Sequence, residues 1–123
     1  MNEPLMILVA GPYRGGTGDD PEKIAANHRA IQQACLELFR AGHLAVNGED
    51  LALPLAELAG STRVGDAAFD EVFHPMSRRL VARCDAVLRL PGASAGSDEM
   101  VALARARGAA VYTSLDEVPA VAR

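Results

Sequence analysis

From residue 5 the chain runs Leu-Met-Ile-Leu-Val-Ala without a polar side chain and then meets Gly11-Pro12. An apolar run this short, closed by a turn signal, predicts a strand covered on both faces, the central position of a parallel sheet. After a glycine-rich loop, Asp20 precedes Pro21 and Glu22, which predicts a helix N-terminus: a capping carboxylate, a first-turn proline and a first-turn acid. Ile24, His28, Ile31, Cys35, Leu38 and Phe39 then recur on one helical face, and Gly42 supplies the stop. Residues 43–47 predict a second strand.

The next stretch is less regular. Pro54 interrupts a leucine-rich pattern and a Gly-Ser-Thr break follows, which predicts a short helix and a mobile loop. From Asp66 the pattern is helical again, with Pro75 expected to kink or divide it. Residues 85–90 predict a third strand, 96–108 a third main helix and 109–113 a fourth strand. Ser114 is placed to cap a final turn, with Glu117 at the capping-box position. Strands alternating with helices imply an α/β chain of parallel βαβ units with right-handed crossovers. Ligands of such sheets bind outside the carboxyl ends of the strands, which collects residues 11–17, 47–50 and 91–99 at one edge.

Composition narrows the function classes. A chain of 123 residues with 50% hydrophobic and 23% charged positions is the size of one domain with one real core. Its net charge of -4 and its single lysine, Lys23, argue against a nucleic-acid or anionic-membrane surface. Cys35 and Cys84 fall inside helical patterns without disulfide or metal spacing, so free thiols in a reducing, cytoplasmic compartment are expected. The start of the chain has Glu3 and Pro4 and no basic segment, so neither a signal peptide nor a spanning helix is expected there.

Candidate chemistry lies at the ligand edge. The loop Gly11-Pro-Tyr-Arg-Gly-Gly-Thr-Gly18 fits neither dinucleotide nor P-loop fingerprint, since Thr17 stands where a P-loop has lysine. Its glycines, Gly11 and Gly15 among them, let backbone approach a ligand, while Tyr13 offers a stacking face and Arg14 a fixed cation. In Pro91-Gly-Ala-Ser-Ala-Gly-Ser-Asp-Glu-Met100, Asp98 and Glu99 follow a turn of Ser94, Gly96 and Ser97. The helix macrodipole alone accounts for two such acids. It also keeps a carboxylate ionised, which suits a nucleophile or a stabiliser of an oxocarbenium-like carbon. His28 sits on the apolar face of the first helix and is expected to be a core or interface residue. His43 begins a strand, and His74 is the histidine nearest the loop edge. No histidine pair has metal spacing, so no metal is expected.

The order of these pieces resembles the nucleoside 2-deoxyribosyltransferase-like superfamily: a strand ending Ala10-Gly-Pro-Tyr13, a helix closing Ala41-Gly-His43, then Cys84-Asp-Ala-Val-Leu-Arg-Leu-Pro-Gly92 and Ser94-Ala-Gly-Ser-Asp-Glu-Met-Val-Ala-Leu-Ala104. The resemblance covers most of the chain and is weakest between residues 48 and 79. It implies a single-domain Rossmann-like three-layer sandwich with a four- to five-stranded parallel sheet, in a homodimer or larger homo-oligomer. It also implies hydrolysis or transfer at the N-glycosidic bond of a nucleoside or nucleoside monophosphate, without a cofactor. In that family the nucleophile is the glutamate of Ser-x-Gly-x-x-x-Glu; here Met100 holds its place and Glu99 comes one residue early, a rotation of about 100° on a helix. The family's aspartate eight residues before the Cys-Asp-Ala-Val aspartate is Ser77 here, with Asp66, Asp70 and Glu71 upstream and out of register. Two expectations follow: an N-glycosidase or transferase using Glu99, or secondarily Asp98, with substrate held by Gly11, Tyr13, Arg14, Gly15, Ser94, Gly96 and Ser97; or a catalytically degenerate nucleotide-binding sensor or sequestering protein.

Overall fold

The computed structural model describes residues 3–121. Among them, strands Met6–Ala10 (β1), Leu44–Val46 (β2), Ala86–Arg89 (β3) and Ala110–Tyr112 (β4) form one sheet in the order β2-β1-β3-β4. All pairings are parallel, with Ile7 opposite both Ala45 and Ala86 and Leu8 opposite Val46 and Val87. Helices Pro21–Arg40 (α1), Gly48–Leu58 (α2), Ala67–Val81 (α3) and Ala95–Ala106 (α4) connect them, and a 3-10 turn covers Leu115–Glu117. The architecture is α/β and Rossmann-like, with helices on both faces of a sheet that has four strands among the described residues.

Alternation along β1 builds the layers. Ile7 and Val9 face α1, where they pack with Ile31, Ala34 and Leu38. Leu8 and Ala10 face the other layer and meet Val81 of α3 with Met100 and Ala104 of α4. Each large side chain closed off in this way contributes about 1.5–3 kcal/mol by leaving water. A third cluster lies between α2 and α3, where Ala52 packs with the stacked rings of Phe69 and Phe73. Buried His43 joins the two ends of the described chain: its Nδ1 accepts from the Leu5 N–H at 3.0 Å and its Nε2 donates to the Pro119 carbonyl at 2.6 Å. Both Cys35 and Cys84 are free thiols.

Local signals set most helix starts. Asp20, Asn47, Asp66 and Ser94 each take the N-cap position and accept a backbone N–H from the first turn. The middle of the chain is more regular than its pattern predicts. Pro54 and Pro75 lie inside α2 and α3, each removing one backbone bond, yet both helices continue. Pro75 thus does not divide the second half of the chain: burial of Phe69, Phe73 and Val81 holds the turns on either side of it in one helix. The loop before α3 is tied down by Asp66, whose carboxylate accepts from Ser61 Oγ at 2.9 Å and from the Thr62 and Arg63 N–H groups at 2.8 and 3.2 Å.

Candidate functional site

The loop after β1 builds one side of the ligand edge. Arg14 grips Asp19 through two bonds, Nε to Oδ1 at 3.0 Å and Nη2 to Oδ2 at 2.9 Å, and its guanidinium lies against Gly65. That pairing shapes the loop and brings it to residues 62–65. Between this loop, α1 and residues 62–65 opens a cleft of about 850 Å³, lined by Tyr13, Arg14, Asp19, His28, Arg63 and Gly65 among others. Its size falls within the range of small-molecule sites, about 300–1,000 Å³. Tyr13 is half-buried there, edge-on to His28 at 5.8 Å and tilted against Phe73 at 5.4 Å between ring centres. Gly15 does not reach this cleft. A Cβ on it would come 2.3 Å from the Ala93 carbonyl oxygen, so its role is to let the β1–α1 loop close onto the β3–α4 loop.

At the mouth of α4 the register is decided. Ser94 caps the helix: its Oγ accepts from the Ser97 N–H at 3.1 Å and donates to Ser97 Oγ at 2.8 Å. With the helix starting at Ala95, Met100 turns inward and is 5% exposed. Glu99 turns toward α3, where both its oxygens accept from Arg78 Nε at 3.1 and 3.2 Å. Asp98 accepts from Arg89 Nη2 at 2.9 Å on the surface. The turn is not re-registered. The single-residue offset stands, and neither acid lines the cavity at the strand ends.

That cavity holds a different carboxyl. About 40 Å³ in volume, it is bounded by Gly11, Gly48, Glu49, Phe73, His74, Ser77, Gly96, Ser97 and Met100 with the last residues of β1. It is too small for a nucleoside. Glu49 lies in the first turn of α2 and is only 8% exposed. Gly48 makes this possible, because a Cβ there would fall 2.2 Å from Ser77 Oγ; without a side chain, α2 settles against α3 and lowers Glu49 toward the sheet. Burial pushes the Glu49 carboxyl above the ordinary glutamate range, and Asp50 adds to the rise, while its own backbone N–H and His28 oppose it. Burial and then the charge of Glu49 likewise push the Tyr13 hydroxyl up.

A second ionisable pair borders the cleft. Nε2 of His28 lies 2.7 Å from Asp50 Oδ1, which also accepts from Gln32 Nε2 at 3.0 Å, while Asp50 Oδ2 accepts from Asn47 Nδ2 at 2.9 Å. Burial raises the Asp50 carboxyl, but the bonds from Asn47, His28 and Gln32 outweigh it and hold the group below the usual aspartate range.

Of the residues read from sequence, Tyr13 and Arg14 line the large cleft, while Gly11, Gly96 and Ser97 line the small cavity with Ser77 and Met100. Sequence reasoning missed Glu49, His28 and Asp50 as a group. The signal for the two acids was their position at the end of the second strand, inside the predicted ligand edge. Comparison with known proteins finds no matching family model, and no curated protein or solved structure similar to the chain. The case for a function rests on the site geometry.

The Glu49 environment has a thermodynamic consequence. Because its folded pKa lies above its unfolded one, the native state binds more protons between those two values, and stability falls as pH rises through that window. Glu49→Gln is therefore expected to raise the melting temperature at neutral pH, with the gain shrinking to nothing below the ordinary glutamate range. Calorimetric scans across pH check this, and a pH-independent or negative effect would contradict it.

Proposed function

We propose that the chain binds a nucleoside or nucleoside monophosphate in the cleft beside Tyr13 and cleaves its N-glycosidic bond with the help of Glu49. One observation carries the reading: Glu49 is the carboxyl turned to the strand ends and shielded from water, while Glu99 is engaged by Arg78. A carboxyl made hard to ionise by burial keeps its proton above the ordinary glutamate range, which suits it to proton donation. In N-glycosidic cleavage the electron pair of the breaking bond moves to the base nitrogen, and a proton delivered there turns a poor leaving group into a neutral one. Tyr13 offers a face for the base or sugar, and Arg14 and Arg63 on the cleft wall suit a phosphate. No cofactor is required for this chemistry.

A second reading is favoured by Met100, which puts a thioether where the resemblance expects a nucleophile, and by the small volume at the strand ends. It is a nucleotide-binding protein that senses or sequesters its ligand without turning it over. Incubation with a panel of nucleosides and their monophosphates, with free base followed by chromatography, separates the two. The enzymatic reading expects base release that falls by about a hundredfold or more in Glu49→Gln and persists in Glu99→Gln. Stabilisation by a nucleotide without any base release supports the binder, and loss of activity in Glu99→Gln alone would return the catalytic role to α4.

The homodimer that the resemblance implies is also proposed. Leu51, Leu55 and Leu58 form a row along α2 at 45%, 46% and 85% exposure, and the neighbouring groove is lined by Leu55, Val72 and Met76 together with Glu71 and Arg79. Two copies meeting on this face would cover the leucines and set the acid of one against the arginine of the other. Sedimentation is expected to show a dimer that Leu55→Glu converts to monomer; a monomeric unsubstituted chain would overturn this.

A further inference from the structure

His28 and Asp50 form an ionisable pair that cleavage by Glu49 alone leaves unused. The geometry fixes its chemistry. Asp50 is held ionised by three side-chain donors, so it can only accept, and Nε2 of His28 must carry the proton between them. In the neutral imidazole this leaves Nδ1 with a free lone pair. No protein hydrogen bond among the described residues occupies that nitrogen, and the ring forms part of the wall of the 850 Å³ cleft. The Asn47 bond to Asp50 belongs to the N-cap of α2, and the His28 ring also lines the cleft, where a ligand can reach it. A histidine with one nitrogen anchored on a carboxylate and the other bare is the arrangement of a general base.

We propose that His28, oriented by Asp50, is the general base that takes a proton from a water molecule attacking the anomeric carbon, so that the site hydrolyses its substrate and does not transfer the sugar. This deepens the N-glycosidic reading and rests on it. Tyr13 links the two halves of the machinery: its ring meets His28 on the cleft side and Phe73 on the other, and Phe73 lines the Glu49 cavity. A sugar resting on Tyr13 would take its water from the His28 side of the cleft and turn its base toward the separate cavity that Glu49 lines. The water oxygen bonds to the anomeric carbon as the carbon–nitrogen bond breaks. The electron pair of that bond goes to the base nitrogen, which receives the Glu49 proton. The proton of the water goes to Nδ1 of His28, and solvent exchange restores both groups. Because a single displacement forms no glycosyl-enzyme, the product sugar has inverted configuration, and free base cannot be exchanged into substrate.

The charged and titratable groups around His28 come from every element facing it: Tyr13, Arg14 and Asp19 from the β1–α1 loop, Asp50 and Glu49 from α2, and Arg63 from the α2–α3 loop. Of these, Glu49 gives up its proton during turnover, so the rate is expected to fall as pH rises through the Glu49 pKa, which burial holds above the ordinary glutamate range.

The test uses the full chain and the nucleotide from which it releases base. His28→Gln is expected to lower kcat by about a hundredfold or more with KM little changed. Added imidazole should restore part of the rate in His28→Ala, which a folding defect would not permit. Asp50→Asn, altering a positioning residue, should lower kcat less than His28→Gln does, again with KM little changed. NMR of early product should show the inverted anomer, and labelled free base should not enter the substrate pool. An unchanged kcat in His28→Gln, a retained anomer, or incorporation of labelled base overturns the proposal while leaving N-glycosidic cleavage intact. Absence of base release by the unsubstituted protein refutes that broader reading, and the proposal falls with it.

Discussion

The parallel pairing of β1 with both of its neighbours is the constraint on which the site depends. Burial on both faces fixes β1 in the interior of the sheet, and parallel neighbours bring the carboxyl ends of β1, β2 and β3 to one edge. The connections leaving β1 and β3 start helices on opposite faces, α1 and α4, so the chain parts there. In this protein the parting is closed over: the β1–α1 loop packs its Gly15 onto the Ala93 carbonyl, and the open volume lies to one side, between Tyr13, α1 and residues 62–65. The topology fixes the edge. Side-chain packing decides which part of that edge is open.

The same packing decides which acids face the edge. On α4 the Ser94 cap sets the register, Met100 completes the apolar layer with Ala104 and Val81, and Glu99 is left to Arg78. On α2 the absence of a side chain at Gly48 allows contact with Ser77, and Glu49 is carried below the surface. The carboxyl and the position it would serve are thus separated onto different helices compared with the pattern that the family resemblance implies. Ser77, where that pattern has an aspartate, borders the same cavity as Glu49.

Much of the fold was legible because its signals are local. The apolar run of β1, the Asp20-Pro21 start of α1 and the Ser94 turn each declare an element within a few residues, and the structure has all three. The segment from 48 to 66 was not legible for the opposite reason. Pro54 looks like a break when read alone, and only contact with α3 shows that α2 runs through it. The site divides in the same way. Tyr13 and Arg14 could be placed at the ligand edge from their loop alone. Glu49 reads as one more first-turn acid until the approach of α3 is known, and His28 reads as a core histidine until Asp50, far along the chain, is found against it. Pairwise chemistry between distant elements carries no local pattern.

The central claim is that Glu49 is the buried carboxyl of this edge, its pKa raised by burial above the ordinary glutamate range. Infrared difference spectra between the unsubstituted protein and Glu49→Gln, recorded through a pH titration, observe that proton directly through the carbonyl stretch of a neutral acid. The account predicts a neutral-acid band assigned to Glu49 that persists above the ordinary glutamate range and is lost only at higher pH. A band that disappears with the exposed carboxylates, within the ordinary range, would contradict it.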